Sequence, residues 1–383
     1  MGRRIRTVTA LAIALAWILD VVSGLSSPAL VAPAFAVSTV SRPVARTPVT
    51  LTEIAQNLIP GDPGKPSSHS SSLAFVPDPN GPGSVVAYWF AGARESAPDV
   101  EILSSRYDLA RNAWSAPQSV VNRHALALEM DFFVRRLGNP VAWVDAGGRI
   151  HLFVVATGLG GWAASRIVHL LSEDGGSRFQ ALRVLPLSPW FNTSHLVRAP
   201  ATALADRGAI VPLHFEIGSK YPMALRLSPT GEPVGLVRVS NDETSLQPSI
   251  VALDGERGLA LLRDHSDARS LKLAGTDDGG RSWTDRGRTN LSNPNSSVVA
   301  ARLPDGALIA ALNPAREGRT ELALAVSRDG QDWRIERTVE SGAGEDEFSY
   351  PSLLVAGDML HLTYTYKRQA IMHRVFRIGT AAP

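Results

Sequence analysis

The chain has 383 residues, of which 44% are hydrophobic and 19% are charged, so it has ample material for a folded core. A formal net charge of +2, with scattered Lys and Arg, argues against nucleic acid as a partner. Because cysteine is absent, disulfides, thiolate chemistry and cysteine-type zinc sites are excluded. No H-E-x-x-H motif, phosphate loop or dinucleotide fingerprint occurs, so we expect no metal and no cofactor.

The first 36 residues have the character of a targeting segment. Three early arginines precede an apolar run over residues 7–19, and Ala34-Phe35-Ala36 has the small-x-small pattern of a signal-peptidase site. Asp20 leaves the run short for a membrane span of roughly 20 residues. We expect an exported protein, whether secreted, periplasmic or anchored to the envelope. Residues 1–36 are then a cleaved signal peptide or an uncleaved anchor, which would be the only contact with a membrane.

The composition changes twice more along the chain. Residues 37–60 are rich in Pro, Thr and Ser and predict a linker. Residues 61–383 repeat one pattern six times, with a polar motif, an apolar strand, a Gly/Asp turn and a second apolar strand. The six motifs open at His69, Asn139, Arg198, Gln247, Asn295 and Tyr350. The runs are short, rich in β-branched residues and broken by turns, so they predict strands. Six such units predict an all-β fold, a six-bladed β-propeller with four-stranded blades.

A second motif recurs in phase with the first. The segments 172–179, 276–283 and 327–333 each place Ser or Thr two residues before an Asp, followed by Gly and an aromatic residue. The Asp can accept backbone hydrogen bonds across a tight turn, the Gly permits positive φ, and the ring packs beneath. We expect these turn motifs to join the two outer strands of a blade and to lie outside any active site.

Each inner hairpin returns the chain to the end from which it started, so the residues that open and close it meet at one face. The closing residues include Arg94, Glu95, Trp162, Glu216, Arg263, Arg319 and Arg368. Six hairpins around one axis therefore predict a polar central pocket at one end of the propeller. Asn139, Arg198, Asn295, Arg368 and Trp162 are expected to line it.

Residues from about 60 to 375 resemble the bacterial BNR-repeat branch of the sialidase superfamily. The resemblance rests on the stretches YWFAGARESAPDVEI, GNPVAW, LVRAPATAL, LQPSIVALDG and FSYPSLLV. It implies a sialidase-like propeller and a glycan as partner, and the turn motifs are similar to the Asp boxes of that family. Sialidases clamp the substrate carboxylate with three arginines, since guanidinium bonds carboxylate bidentately. Arg263 and Arg319 match two of them, and Arg94 fits a further pocket arginine.

The resemblance also assigns catalytic candidates. Tyr350 occupies the position of the tyrosine nucleophile of sialidases. A phenol with an ordinary pKa near ~10 needs an adjacent base, yet Gln247 stands where the family has a glutamate. Glu216, or a carboxylate within residues 345–347, is a candidate replacement. Glu95 and Asp99 are candidates for the general acid. His69, which stands where an R-I-P motif is expected, is a candidate acid or base.

These residues predict an exo-acting glycoside hydrolase for a terminal acidic sugar. Two alternatives stay open because Gln247 and His69 depart from the family pattern. One is another glycan enzyme on the same scaffold, a uronic-acid polysaccharide lyase or a hydrolase of rhamnose- or uronic-acid-containing glycans. The other is a propeller that binds carbohydrate without turnover, with Tyr350 as a stacking platform. The sequence leaves the sugar, the linkage and the oligomeric state open.

Overall fold

The computed structural model describes residues 34–37, 48–78, 81–189 and 192–380, which form six antiparallel sheets. The sheets are the blades of a six-bladed β-propeller, and the predicted fold class is confirmed. Residues 1–33 lie outside the described residues, so the targeting prediction for them stays a prediction. Among the described residues, no helix is long and apolar enough to cross a membrane, and no group of three His, Asp or Glu side chains is arranged to hold a metal.

The first three blades follow one another along the chain. Blade 1 contains β2 (Ser67–Val76), β3 (Ser84–Gly92), β4 (Glu101–Asp108), β5 (Ala113–Trp114) and β6 (Gln118–Val121). Helix α1 (Arg123–Met130) leads to blade 2, which contains β7 (Arg136–Val144), β8 (Ile150–Thr157), β9 (Ser165–Ser172) and β10 (Gln180–Val184), with a 3-10 turn over Gly161–Ala164. Blade 3 contains β11 (His195–Val197), β12 (Thr202–Ala203), β13 (Ala209–Phe215), β14 (Tyr221–Leu227) and β15 (Pro233–Arg238).

The last three blades complete the ring. Blade 4 contains β16 (Ser245–Ala252), β17 (Gly258–Asp264), β18 (Ser270–Thr276) and β19 (Thr284–Ser292). Blade 5 contains β20 (Val299–Arg302), β21 (Leu308–Leu312), β22 (Glu321–Ser327) and β23 (Trp333–Ser341). Blade 6 contains β24 (Phe348–Ala356), β25 (Met359–Tyr366), β26 (Ala370–Thr380) and, as its outermost strand, β1 (Val49–Leu58).

Blade 6 is built from both ends of the chain. Strand β1 pairs antiparallel with β26, so the N-terminal strand closes the ring. Glu53 of β1 strengthens this closure, because its carboxylate bonds Arg374 of β26 at 2.9 Å and Arg337 of blade 5 at 2.8 Å. The structure thus corrects the expected linker over 37–60, of which Val49–Leu58 is a strand. The threonines that suggested a linker alternate with the buried Val49 and Leu51 of an edge strand, whose second half is mostly polar.

The three turn motifs join the third and fourth strands of their blades, as expected. In the motif of blade 4, Asp278 Oδ1 accepts the backbone N–H groups of Arg281 and Ser282 at 2.9 and 3.0 Å. Thr276 Oγ1 accepts the N–H of Gly280 at 3.0 Å, which closes the turn. The same pattern recurs in blades 2 and 5. These contacts satisfy backbone donors at the outer rim, far along the blade from the polar motifs.

One glycine of each turn motif also fixes the spacing between blades. At Gly330, φ is +78°, and a Cβ there would lie 2.1 Å from Cδ1 of Leu259 on β17 of the preceding blade. Gly280 faces Ile210 and Gly176 faces Tyr88 in the same way, each across the boundary with the blade before it. The motif therefore needs glycine for its backbone conformation and for close packing between neighbouring blades.

We predict that Gly330→Ala lowers the free energy of unfolding by about 2–4 kcal/mol, since it adds a steric clash to the strain of a positive φ. Gly344→Ala is the matched control, because Gly344 has φ +63° and a methyl group added there would meet no described atom within 4 Å. It should cost only about 1 kcal/mol. Urea unfolding of both variants measures the difference. Equal losses would contradict the packing role.

Candidate functional site

The inner strands share a β-bulge close to their first residues. The strand register slips between His69 and Ser72 in blade 1, and at equivalent places in blades 2, 4 and 6. The bulged residue has positive φ in each case, as does the residue that opens blade 5: Ser70 (55°), Asn139 (39°), Gln247 (42°), Asn295 (56°) and Tyr350 (52°). Positive φ is uncommon outside glycine, and bulges are frequent beside active sites. Its recurrence around the ring marks this end of the propeller as the candidate site.

The polar motif has a second shared position, a serine, which shows how the motifs of different blades correspond. In blades 1, 4 and 6 the Oγ atoms of Ser72, Ser249 and Ser352 accept a backbone N–H from the inner strand of the next blade, at 3.1, 2.8 and 3.2 Å. This alignment corrects the expectation for blade 1, where Ser70, not His69, is the opening residue. Because residues 70–72 are all serine, the sequence alone fitted His69 and Ser70 equally well as the opening residue.

Blade 3 departs from the pattern. Positive φ falls on Ser194, four residues before Arg198. Arg198 lies instead between β11 and β12, where the strand pairing skips from Val197 opposite Leu213 to Thr202 opposite Ile210. The extra residues place Arg198 in the centre of the propeller, where its side chain is fully buried.

Arg198 joins blade 3 to blades 1 and 6 across the centre. Its guanidinium donates to the carbonyl oxygens of Pro351 at 2.8 Å and Ser71 at 3.2 Å, and it lies 5.3 Å from the centre of the Tyr350 ring. Burial lowers the pKa of Arg198 to about 10, against the opposing effect of Tyr350. Since that value is still well above neutrality, Arg198 places a positive charge close to the Tyr350 ring.

Tyr350 is surrounded by basic side chains. The guanidinium of Arg319 lies 5.5 Å from its ring centre, and the imidazole of His69 meets the ring edge-on at 4.5 Å. Burial, followed by the charge of Arg368, lowers the pKa of His69 to about 3. Neither ring nitrogen of His69 has a hydrogen-bond partner among the described residues. Burial therefore favours the uncharged form of the His69 imidazole.

Glu347 partly neutralises the arginines near Tyr350. Its carboxylate bonds Arg319 at 3.1 Å, Arg368 at 2.6 Å and the hydroxyl of Ser349 at 2.5 Å. Burial alone would raise the pKa of Glu347, but these hydrogen bonds and charges hold it at about 2. Arg368 also bonds Glu95, so the chain Glu95–Arg368–Glu347–Arg319 runs from blade 1 through blade 6 to blade 5.

A second polar group lies on blades 3 to 5. Arg263 donates to Asn295 Oδ1 at 2.7 Å and to Gln247 Oε1 at 3.1 Å. Arg319 donates to the main-chain oxygen of Asn295 at 3.2 Å, so Asn295 connects the two arginines. Glu216 lies near Arg263, and its carboxylate is 3.2 Å from the imidazole of His214. Burial would raise the pKa of Glu216, but His214 and then Arg263 and Lys220 hold it at about 2.

Three of the remaining candidates have other surroundings. Asp99 Oδ2 accepts the backbone N–H of Ala93 at 2.8 Å and so closes the loop after β3, which is a structural role. The side chain of Arg94 is exposed on that loop, and among the described residues no contact ties its guanidinium to the arginine cluster. Trp162 packs against Gly138, beside Asn139 on blade 2. These positions weaken the case for Asp99 and Arg94 as site residues and place Trp162 at the rim.

The other end of the propeller holds a cavity of about 760 Å³. It is lined mainly by small apolar residues from the far ends of the inner strands, with Arg302 at its edge. Ala36 and Val37 also border it. Because no charged groups converge among the described residues that line it, this cavity does not resemble the polar end.

Comparison with known families decides the relationship. The model of the BNR repeat-like domain matches residues 83–362. The chain belongs to this family. No curated protein matches the chain.

Solved structures give this BNR repeat-like chain the same fold. The Hadza microbial sialidase Hz136 is 14% identical with a TM-score of 0.66, over 83% of this chain and 66% of that one. The intramolecular trans-sialidase from Ruminococcus gnavus, in complex with oseltamivir carboxylate, is 13% identical with a TM-score of 0.62, over 86% of this chain and 98% of that one. A Dyadobacter fermentans protein of unknown function is 15% identical with a TM-score of 0.66, over 86% and 99%. At these identities the likeness shows the fold, a sialidase-like propeller.

Proposed function

We propose that this chain is an exported, exo-acting glycoside hydrolase that removes a terminal acidic sugar from a glycan. The observation that carries the proposal is Tyr350, held at φ 52° in a bulge, with Arg198 and Arg319 over its ring and His69 at its edge. Strained backbone at a polar, arginine-rich centre is typical of a functional site. The solved sialidases with the same fold support the substrate class.

The acidic group of the sugar would bind between Arg263 and Arg319. Both guanidiniums already bond Asn295, one to its side chain and one to its main chain, so their positions are coupled. A carboxylate can accept two parallel hydrogen bonds from one guanidinium, and its remaining lone pairs can accept a hydrogen bond from the other. Both arginines are only partly buried, which leaves them donors for a ligand.

Tyr350 is the proposed nucleophile and His69 the proposed acceptor of its proton. The neutral imidazole has a free lone pair and no competing partner among the described residues. Its pKa is low because it is buried among Arg368, Arg198 and Arg319, whereas the carboxylate of Glu347 raises it. A second carboxylate, brought by the substrate, would act in the same direction as Glu347. The acidic sugar would thus make His69 a stronger base when it binds.

The proposed reaction proceeds in two balanced steps. The Tyr350 oxygen bonds the anomeric carbon as the bond to the leaving oxygen breaks, and His69 takes the phenolic proton. Glu95 must enter this step protonated on Oε1, while its Oε2 accepts the hydrogen bond from Arg368, and it gives that proton to the leaving oxygen. Water then attacks the anomeric carbon and gives a proton to Glu95, while Tyr350 departs and recovers its proton from His69. Arg368 bonds both Glu95 and Glu347 and so positions the acid relative to the tyrosine.

We predict that the full chain releases the fluorophore from a fluorogenic sialoside. Tyr350→Phe should lower kcat/KM at least about a hundredfold, because the nucleophile is lost. Arg319→Ala should lower it by about the same factor, because a charged hydrogen-bond partner of the substrate is lost. Arg302→Ala is the control, since Arg302 borders the cavity at the opposite end of the propeller.

The same assay separates the alternatives. No release at high enzyme concentration would overturn the sialidase proposal. Glycan binding that persists in Tyr350→Phe without turnover would indicate a carbohydrate-binding propeller.

A second prediction concerns Gln247, whose amide cannot act as a base and whose Oε1 accepts a hydrogen bond from Arg263. Gln247→Glu keeps the size of the side chain and adds the carboxylate that sialidases have there. If Tyr350 is a nucleophile limited by proton transfer, the variant should raise kcat by about tenfold or more. Gln247→Met is the matched control of similar length without a base. A fall in kcat for both variants would contradict a proton-transfer limit at Tyr350.

A uronic-acid lyase is the second candidate, favoured by the neutral His69 beside Tyr350 and by the amide at position 247. In a β-elimination, arginines neutralise the uronate while a base removes the neighbouring proton and the glycosidic oxygen leaves. The product carries a carbon–carbon double bond conjugated with its carboxylate. Ultraviolet absorbance that grows during incubation with uronic-acid polymers, without sialoside hydrolysis, would establish this activity instead.

A further inference from the structure

The segment Ala34–Val37, here called the strap, is part of the folded propeller. Its backbone makes three hydrogen bonds with two blades: Phe35 N–H donates to Gly255 O at 2.7 Å, Ala36 N–H to Ala203 O at 3.1 Å, and Ala205 N–H to Ala34 O at 2.7 Å. Phe35 also forms a β-bridge with Leu204. The strap is therefore hydrogen-bonded to turns of blades 3 and 4, and it pairs with blade 3 as a short β-bridge.

The side chain of Phe35 is a core residue. It is 2% exposed and packs in the apolar cluster between blades 3 and 4, with Leu204, Ile210, Ala260 and Leu262. Its ring lies on Gly258, where an added methyl group would be 2.9 Å from Cε2 and Cζ. Because this aromatic ring is almost fully buried, its apolar contacts stabilise the boundary between blades 3 and 4.

The strap lies at the end of the propeller opposite the arginine cluster. Gly255 is in the turn that follows β16, whereas Gln247 is near the first residue of the same strand. Ala36 and Val37 border the apolar cavity at that opposite end. The contacts of the strap are thus independent of the proposed catalytic residues.

We infer that the mature protein retains Phe35, so that Ala34-Phe35-Ala36 is a docking element and not the site at which the N-terminal segment is removed. Cleavage after Ala36 would start the chain at Val37 and take away Phe35 together with all three backbone hydrogen bonds. The vacated space lies between blades 3 and 4 and is lined by apolar side chains. Any processing of the N-terminal segment must then occur before Phe35.

A double-mutant cycle on the full chain tests the docking. Phe35→Ala should lower the midpoint of thermal unfolding by about 5–10 °C. Leu128→Ala, at a leucine that is 85% exposed, is the control and should leave the midpoint within about 2 °C. Gly258→Ala should lower the midpoint in the wild-type background and much less in Phe35→Ala, where the ring no longer occupies the space. If Phe35→Ala does not fold, Phe35→Leu takes its place in the cycle.

The N-terminus itself is mapped by mass spectrometry on the full chain purified from an exporting bacterial host. The inference predicts that mature chains contain Phe35. It is overturned if the main product begins at Val37, or if Phe35→Ala unfolds at the wild-type temperature with additive effects of Gly258→Ala. Because neither readout involves glycan turnover, failure here and failure of the proposed hydrolase activity are distinguishable.

Discussion

The site depends on one backbone constraint, the left-handed residue that opens the inner strand of five blades. A regular strand would alternate these side chains between its two faces, and the bulge interrupts that alternation at one end. The following serine compensates by accepting a backbone hydrogen bond from the next blade, as Ser72, Ser249 and Ser352 do. Strain in one residue and inter-blade bonding by another thus belong to the same short motif. Its repetition gathers Gln247, Asn295 and Tyr350 at one place.

Charge distribution follows from that arrangement. The arginines at the centre are partly neutralised by carboxylates: Glu95 bonds Arg368, and Glu347 and Glu216 are held ionised with pKa values of about 2. Among the described residues, Arg198 has no carboxylate partner in its hydrogen bonds and donates only to main-chain oxygens. The centre therefore retains positive charge close to Tyr350 while keeping His69 uncharged. This combination suits an acidic ligand, because the ligand carboxylate supplies the negative charge that the cluster lacks.

Much of this architecture follows from the sequence, because repeated motifs report on repeated structure. The six strand-turn-strand units and the turn motifs predicted the blades and the polar end. The sequence did not show which residue opens blade 1, because Ser70–Ser72 are three identical residues. It also did not show the longer bulge around Arg198 in blade 3. The strand β1 was missed because its partner β26 lies at the other end of the chain. Pairing over such a separation leaves no local pattern in the sequence. Glu347 is one of three adjacent acidic residues, so only its contacts in the structure identify it as the carboxylate of the site.

The proposed mechanism requires Tyr350 to react with the anomeric carbon of an acidic sugar bound at the bulged end. The most direct measurement is intact-protein and peptide mass spectrometry after incubation with a difluorinated sialic acid, whose covalent glycosyl–enzyme intermediate hydrolyses slowly. We expect one added sugar per chain, located on the peptide that contains Tyr350. An unmodified protein, or a sugar attached to Glu347 or Glu95, would contradict it.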